Sequence, residues 1–242
     1  MAQADFSAGC HSTTNPVPVE DIAHDGRWLS QHNRFLKESQ MKAEETNVLF
    51  IGDSIIQRLQ DSDIWRELLH PLQAVNFGIG GDTTQNLLWR IADGVVDHLD
   101  PKVIVVHIGT NNFLNTADEV QEGILEVVRL LHEKKPRARI VLIELFPRGE
   151  KPNQQREKHI TVNKMLHQAL KDHRHVRVVD LDPGFVATDG LIHFHDMHDY
   201  LHLTNNAYKK AFEPLYSILV SLIGEVEWEW EIQRRNSVDP HS

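Results

Sequence analysis

The segment Phe50-Ile51-Gly52-Asp53-Ser54 sets a hydroxyl just after an apolar run and just before a helical pattern. A serine there can serve as a nucleophile, because the N–H groups of a helix start point at the same spot. The same residues also suit a plain helix cap, with Asp53 or Ser54 as the capping side chain. This is not the Gly-x-Ser-x-Gly elbow, since Ile56 stands where the second glycine would. Further on, Gly78-Ile79-Gly80-Gly81-Asp82-Thr83-Thr84 would let backbone N–H groups approach a ligand closely. A dinucleotide fingerprint needs a glycine where Thr83 stands, so that reading fails. After Gly109-Thr110 come Asn111 and Asn112, which either close Asx turns or offer a side-chain NH2 to an anion.

The last cluster, His193 to His202, holds four histidines and two aspartates and invites a metal reading. His198-Asp199-Tyr200-Leu201-His202 approximates the His-Glu-x-x-His zinc helix. Aspartate is one methylene shorter than glutamate, however, and no third ligand follows at the metzincin spacing. Asp199 and His202 are three apart, so on a helical turn they are neighbours. The carboxylate can then hold one imidazole nitrogen while the other faces a serine. His193, His195 and His198 read as surface or packing residues.

Elements must bring these pieces together. Short β-branched runs at Asn47–Ile51, Ala74–Ile79, Val103–Ile108, Arg139–Leu145 and Val176–Leu181 read as five strands. Helical spacing follows each of the first four; Val120, Ile124, Val127, Val128 and Leu131, for example, fall on one face. The alternation predicts an α/β three-layer sandwich with a flavodoxin-like, mainly parallel five-stranded sheet flanked by helices. Functional loops then sit at the carboxyl ends of the strands. Residues 1–20, rich in Ser, Thr, Asn, Pro and Gly, read as a flexible lead-in, residues 21–223 as the domain, and residues 224–242 as a tail. A final helix runs from about Asn205 to Ile223, with Gly224 as its C-cap. Beyond it, Glu225, Glu227, Glu229 and Glu231 alternate with Val226, Trp228, Trp230 and Ile232, a period of two that suits an extended segment. That segment is either loosely packed or docked on a partner or on the domain.

Composition removes other classes. The chain has 242 residues, 40% hydrophobic and 25% charged, in the range of globular domains rather than disordered or fibrous chains. No apolar run approaches the ~20 residues of a membrane span. MAQADFSAGC lacks the basic start and apolar core of a secretory leader, and a single cysteine, Cys10, can form neither an internal disulfide nor a thiolate metal site. A cytoplasmic location is expected. With 25 basic and 35 acidic residues the net charge is −10, and no basic stripe offers a path for nucleic acid.

The order Ser…Gly…Asn…Asp-x-x-His at successive strand ends resembles the block pattern of the SGNH, or GDSL, hydrolases. From about Asp25-Gly26-Arg27-Trp28 to Ile223 the chain is similar to one branch, the catalytic α subunits of platelet-activating factor acetylhydrolase Ib. The strings carrying this are Phe77-Gly78-Ile79-Gly80-Gly81-Asp82-Thr83-Thr84, Val105 to Asn112, Pro147-Arg148-Gly149-Glu150-Lys151-Pro152-Asn153, and His195-Asp196-Met197 leading into Leu201-His202-Leu203-Thr204. The resemblance implies Ser54 as nucleophile, His202 as general base and then acid, and Asp199 as the group that orients the imidazole. It implies an oxyanion hole from the Ser54 and Gly81 N–H groups and the Asn111 side chain, with no metal or organic cofactor. Ile55, Thr110 and Leu201 adjoin these positions and are expected to wall a short-acyl pocket. Implied partners are an ether-phospholipid or other small ester, a second catalytic subunit in a homo- or heterodimer, and a WD40 lissencephaly-type protein. A non-lipid acetyl esterase and a mainly scaffolding subunit are the alternatives.

Overall fold

All five predicted strands form, at Val48–Gly52 (β1), Ala74–Gly78 (β2), Val103–His107 (β3), Arg139–Ile143 (β4) and Val176–Val179 (β5). They pair in parallel in the order β2-β1-β3-β4-β5. This is the flavodoxin-like order, with the topological switch between β1 and β3. The structure, a computed structural model, describes residues 12–238; residues 1–11, with Cys10, and the last four of the tail lie outside the described residues.

β1, β2 and β3 are buried at every residue, as parallel strands covered on both faces must be. Alternate residues feed two cores. Leu49, Ile51, Ile104 and Val106 face Arg27–Met41 (α1), Thr84–Ala92 (α3), Ala117–Lys134 (α4) and Gln154–Leu170 (α5). Val48, Phe50, Val103 and Val105 face Ser54–Leu59 (α2) and Asn205–Val238 (α6). The predicted α4 stripe, Val120, Ile124, Val127, Val128 and Leu131, is buried throughout. Thr83 and Thr116 start α3 and α4 with reciprocal capping boxes, each satisfying two orphan donors.

Two sequence expectations are corrected. The described part of the lead-in packs on the domain: Thr13 is 1% exposed, its Oγ1 donates to Glu119 O at 2.5 Å, and its carbonyl accepts from Thr84 Oγ1 at 3.0 Å. Gly123 makes room for it, since a Cβ there would lie 2.6 Å from Thr84 Oγ1 and 2.8 Å from Thr13 Cβ. Gly224 caps nothing: α6 continues through it for 34 residues in all, to Val238. The tail is helical because it finds partners at the amino ends of the strands. Val226 is fully buried, Lys102 Nζ donates to Glu227 at 2.6 Å, Arg139 pairs with Glu229, and the Arg137 guanidinium lies 4.5 Å from the Trp230 ring centre. These contacts offset the roughly 1 kcal/mol that a helical glycine costs.

Candidate active site

The turn after β1 carries Asp53 as N-cap of α2, its Oδ1 accepting from Ile55 N at 2.9 Å. That places Ser54 as the first helical residue, so its N–H has no carbonyl within α2 to reach. Of the two residues Asp53 is therefore the cap, and the Ser54 hydroxyl takes no part in capping. His202 Nε2 lies 2.9 Å from Ser54 Oγ, and His202 Nδ1 lies 2.6 Å from Asp199 Oδ2. The second carboxylate oxygen accepts from Leu201 N at 3.2 Å and His202 N at 2.8 Å. The segment is a turn rather than a helix, and this carboxylate fixes its shape. Partial burial pushes the Asp199 pKa up, but the hydrogen bonds from the His202 ring and backbone outweigh it and hold the carboxyl at about 2. An ionised Asp199 beside Nδ1 leaves the proton there and a lone pair on Nε2, aimed at the serine.

Across from Ser54 lies the turn after β2. Gly80 N donates to Gln57 Oε1 at 3.0 Å and Asp82 N to Ile79 O at 3.3 Å, while the Gly81 N–H between them has no partner among the described residues. Gly81 adopts a φ of +86°, a left-handed conformation that glycine enters without strain. Asn111 Nδ2 donates one hydrogen to Asp82 O at 2.9 Å, leaving its second for another acceptor. Hydrogen-bond donors fixed by the backbone in this way are what a tetrahedral oxyanion requires. Asn112 instead braces the neighbouring turn, buried and with its Oδ1 accepting from Thr84 N at 3.1 Å. Ile55 is buried just after Ser54, Thr110 just before Asn111, and Leu201 is half-buried just before His202. His193 and His195 stack on each other, whereas the His198 ring stacks on His202.

Several supporting residues carry no local sequence signal. Fully buried Arg90 donates to Asp82 Oδ2 at 2.8 Å, Phe77 O at 2.8 Å and Gly52 O at 3.1 Å, tying the Gly81 turn to the strand that ends before Ser54. Arg148 Nη1 donates to Thr110 O at 2.8 Å. Lys158 directs its ammonium to the carbonyls of Asn112, Phe113 and Asn115 at 2.9, 3.1 and 3.0 Å. It thereby clamps the loop that presents Asn111. Replacing Lys158 by methionine is expected to lower kcat on an aryl acetate roughly 10- to 100-fold with KM nearly unchanged. An Asn111→Ala, Lys158→Met double variant should fall no further than Asn111→Ala alone; full additivity would show that Lys158 does not act through Asn111.

Behind the site, His107 Nδ1 faces Asp53 Oδ1 at 3.3 Å, and Asp53 Oδ2, His107 Nε2 and His159 Nε2 are buried without partners among the described residues. His159 donates from Nδ1 to Phe146 O at 2.8 Å; burial, reinforced by the Arg148 charge, takes its pKa from 6.5 down to about 4. The unfolded chain binds a proton there that the folded chain does not, so stability falls as pH drops from 6.5 to about 4. The loss approaches ~3 kcal/mol. Urea unfolding of His159→Gln at several pH values should lack this slope; an unaltered slope would place the linkage elsewhere.

A parallel sheet with serine, histidine and aspartate hydrogen-bonded in series at its carboxyl ends defines a serine-hydrolase class of protein. The GDSL-like Lipase/Acylhydrolase family model matches residues 50–210, and the chain belongs to that family of ester hydrolases. It is 48% identical over 223 residues to platelet-activating factor acetylhydrolase IB subunit alpha2 of Gallus gallus, covering 90% of this chain and 96% of that one. Identity to subunit alpha1 of Homo sapiens is 47% over 212 residues, covering 88% and 91% of the two chains. Among solved structures, a GDSL-like lipase from Bacteroides thetaiotaomicron superposes with a TM-score of 0.64 at 18% identity, covering 80% of this chain and 97% of that one. This last likeness concerns the fold alone. No helix among the described residues is long and apolar enough to cross a membrane.

Proposed function

We propose that this chain is a serine esterase that removes the sn-2 acetyl group of platelet-activating factor or a related short-acyl ether phospholipid. The observation that carries the proposal is the unbroken hydrogen-bond series Ser54–His202–Asp199, at 2.9 and 2.6 Å, in a chain 48% identical to subunits of that acetylhydrolase. His202 Nε2 takes the Ser54 proton as Oγ attacks the ester carbonyl. The Ser54 and Gly81 N–H groups and the free Asn111 hydrogen receive the oxyanion. On collapse the proton passes to the leaving glycerol oxygen, leaving acetyl-Ser54. Water, deprotonated by His202, then releases acetate. No step in this scheme calls on a metal or an organic cofactor.

Ile55, Thr110 and Leu201 wall the acyl side of this site in our reading, and bulky neighbours favour acetyl over longer groups. Leu201→Ala is expected to raise kcat/KM for butyryl and hexanoyl esters about ten-fold relative to acetyl. Unchanged acetyl preference would remove Leu201 from the pocket. We also assign the chain a subunit role in the cytoplasm, paired with a copy or a paralogue and bound by a WD40 lissencephaly-type protein. Pull-down of that partner by Ser54→Ala tests whether assembly is independent of catalysis. The deciding experiment is acetate release from platelet-activating factor by the intact chain and by Ser54→Ala. Release that disappears with Ser54 supports the proposal. Cleavage of an aryl acetate without cleavage of the lipid would keep the nucleophile and overturn the substrate, and inertness toward both would favour a scaffolding role.

A further inference from the structure

We propose that His198, Asp199 and His202 form a site for one zinc-class divalent ion, whose binding stops His202 from serving as the base for Ser54. Among the described residues this is the group of three His, Cys, Asp or Glu side chains whose ligand atoms converge, all within 4.8 Å of one another. Tetrahedral zinc with bonds of ~2.0–2.2 Å needs ligand atoms ~3.3 Å apart. His198 Nε2 already lies 3.6 Å from Asp199 Oδ2, and His202 Nδ1 lies 2.6 Å from the same oxygen. The His198 and His202 rings are nearly parallel, 23° apart with centres 6.1 Å apart, so both can turn an edge toward a common point. Small ring rotations open the hydrogen-bonded pair enough to admit the ion. His198 and Asp199 are solvent-exposed, and the chain as a whole carries a charge of −10, which favours cation approach.

Two cations oppose the ion. Arg58 Nη1 lies 3.3 Å from His198 Nε2, and the Arg148 charge reaches Asp199. Arg58 is exposed and can swing outward, whereas Arg148 is held by Thr110. The neighbouring pair His173 and His175 is already engaged: His173 Nδ1 accepts from His175 N at 3.2 Å, and His175 Nδ1 meets Arg139 Nη1 at 2.8 Å. His198 matters most to the proposal, since the hydrogen-bond series to Ser54 does not include it. Zinc is favoured over calcium or magnesium because two imidazoles and one carboxylate suit a borderline ion rather than a hard one. Bound through Nδ1, zinc displaces the proton shared with Asp199; the neutral ring then carries its hydrogen on Nε2, which can no longer accept the Ser54 proton.

The effect on turnover rests on the esterase reading, whereas binding does not, and the test separates them. Untagged chain is titrated with zinc chloride against a chromophoric chelator, and aryl acetate hydrolysis is followed in the same titration. One zinc per chain is expected, with hydrolysis falling at the same midpoint. His198→Gln should weaken binding and inhibition together by ~10-fold or more, as removal of a metal ligand does. Arg58→Ala, which removes the competing cation, should strengthen both. Equal zinc affinity in the intact chain and His198→Gln would overturn the site, as would zinc binding without any change in hydrolysis by an active chain. A chain inert toward esters that still loses its zinc with His198→Gln supports the site and counts only against the esterase reading.

Discussion

Ser54→Ala is expected to lower kcat on any accepted ester by on the order of 10⁶-fold. The magnitude follows from geometry. Removal of Oγ abolishes the acyl-enzyme route altogether. What remains is the contribution of the oxyanion donors, on the order of 10³- to 10⁴-fold over water. The substitution leaves the fold alone, because Asp53 and not Ser54 caps α2. Alanine is also the residue best tolerated within a helix. Intact-mass measurement with a fluorophosphonate supplies the check: the intact chain gains one adduct and Ser54→Ala gains none. Residual activity within ten-fold of the intact chain would move the nucleophile elsewhere.

Asp199→Asn is expected to cost about 10⁴-fold in kcat. Asparagine keeps an oxygen for Leu201 N and His202 N, so the turn survives. Its amide can donate to Nδ1, however, which drives the proton to Nε2 and points a donor, not a lone pair, at Ser54. Activity and stability should part company here. In the intact chain the Asp199 pKa falls from 3.8 to about 2 on folding, so its hydrogen bonds contribute to stability above that window and are lost as pH drops through it. Asp199→Asn should therefore unfold with less pH dependence between about 4 and 2, while remaining nearly inactive at every pH. A variant that keeps a tenth or more of its activity would show that His202 is oriented by another group.

The sheet was legible because burial on both faces imposes continuous apolar runs, and the strand bounds from sequence differ from those observed by at most two residues. α4 was legible for a similar reason, its stripe being local. The lead-in was not. Thr13 packs because Gly123, more than a hundred residues away, leaves a gap, and no local pattern encodes that. In the tail, the alternation of acidic and apolar residues fits period two, yet Val226 with Trp230 and Trp228 with Ile232 are also each four apart. A helix sorts them into a docked and an exposed side, with Trp228 60% exposed. The choice was made by Lys102 and Arg139, which lie far off in the chain. At the site, Ser54, Asp199 and His202 stood out through block order and resemblance. Arg90 and Lys158 did not, because they act on backbone carbonyls of remote turns, whose positions are set only by the fold.

Helix α6 begins three residues after His202, passes the amino ends of the strands between Val226 and Trp230, and ends at Val238, at about 1.5 Å per residue roughly 50 Å from its start. Its length makes it a handle set opposite the catalytic face. Immobilising the chain through the far end of α6 would hold every molecule with Ser54 turned outward. Attachment through a lysine near that face, such as Lys210, would scatter the orientations and hide a share of the sites. The two surfaces would then differ in activity per bound molecule, although each molecule is chemically the same.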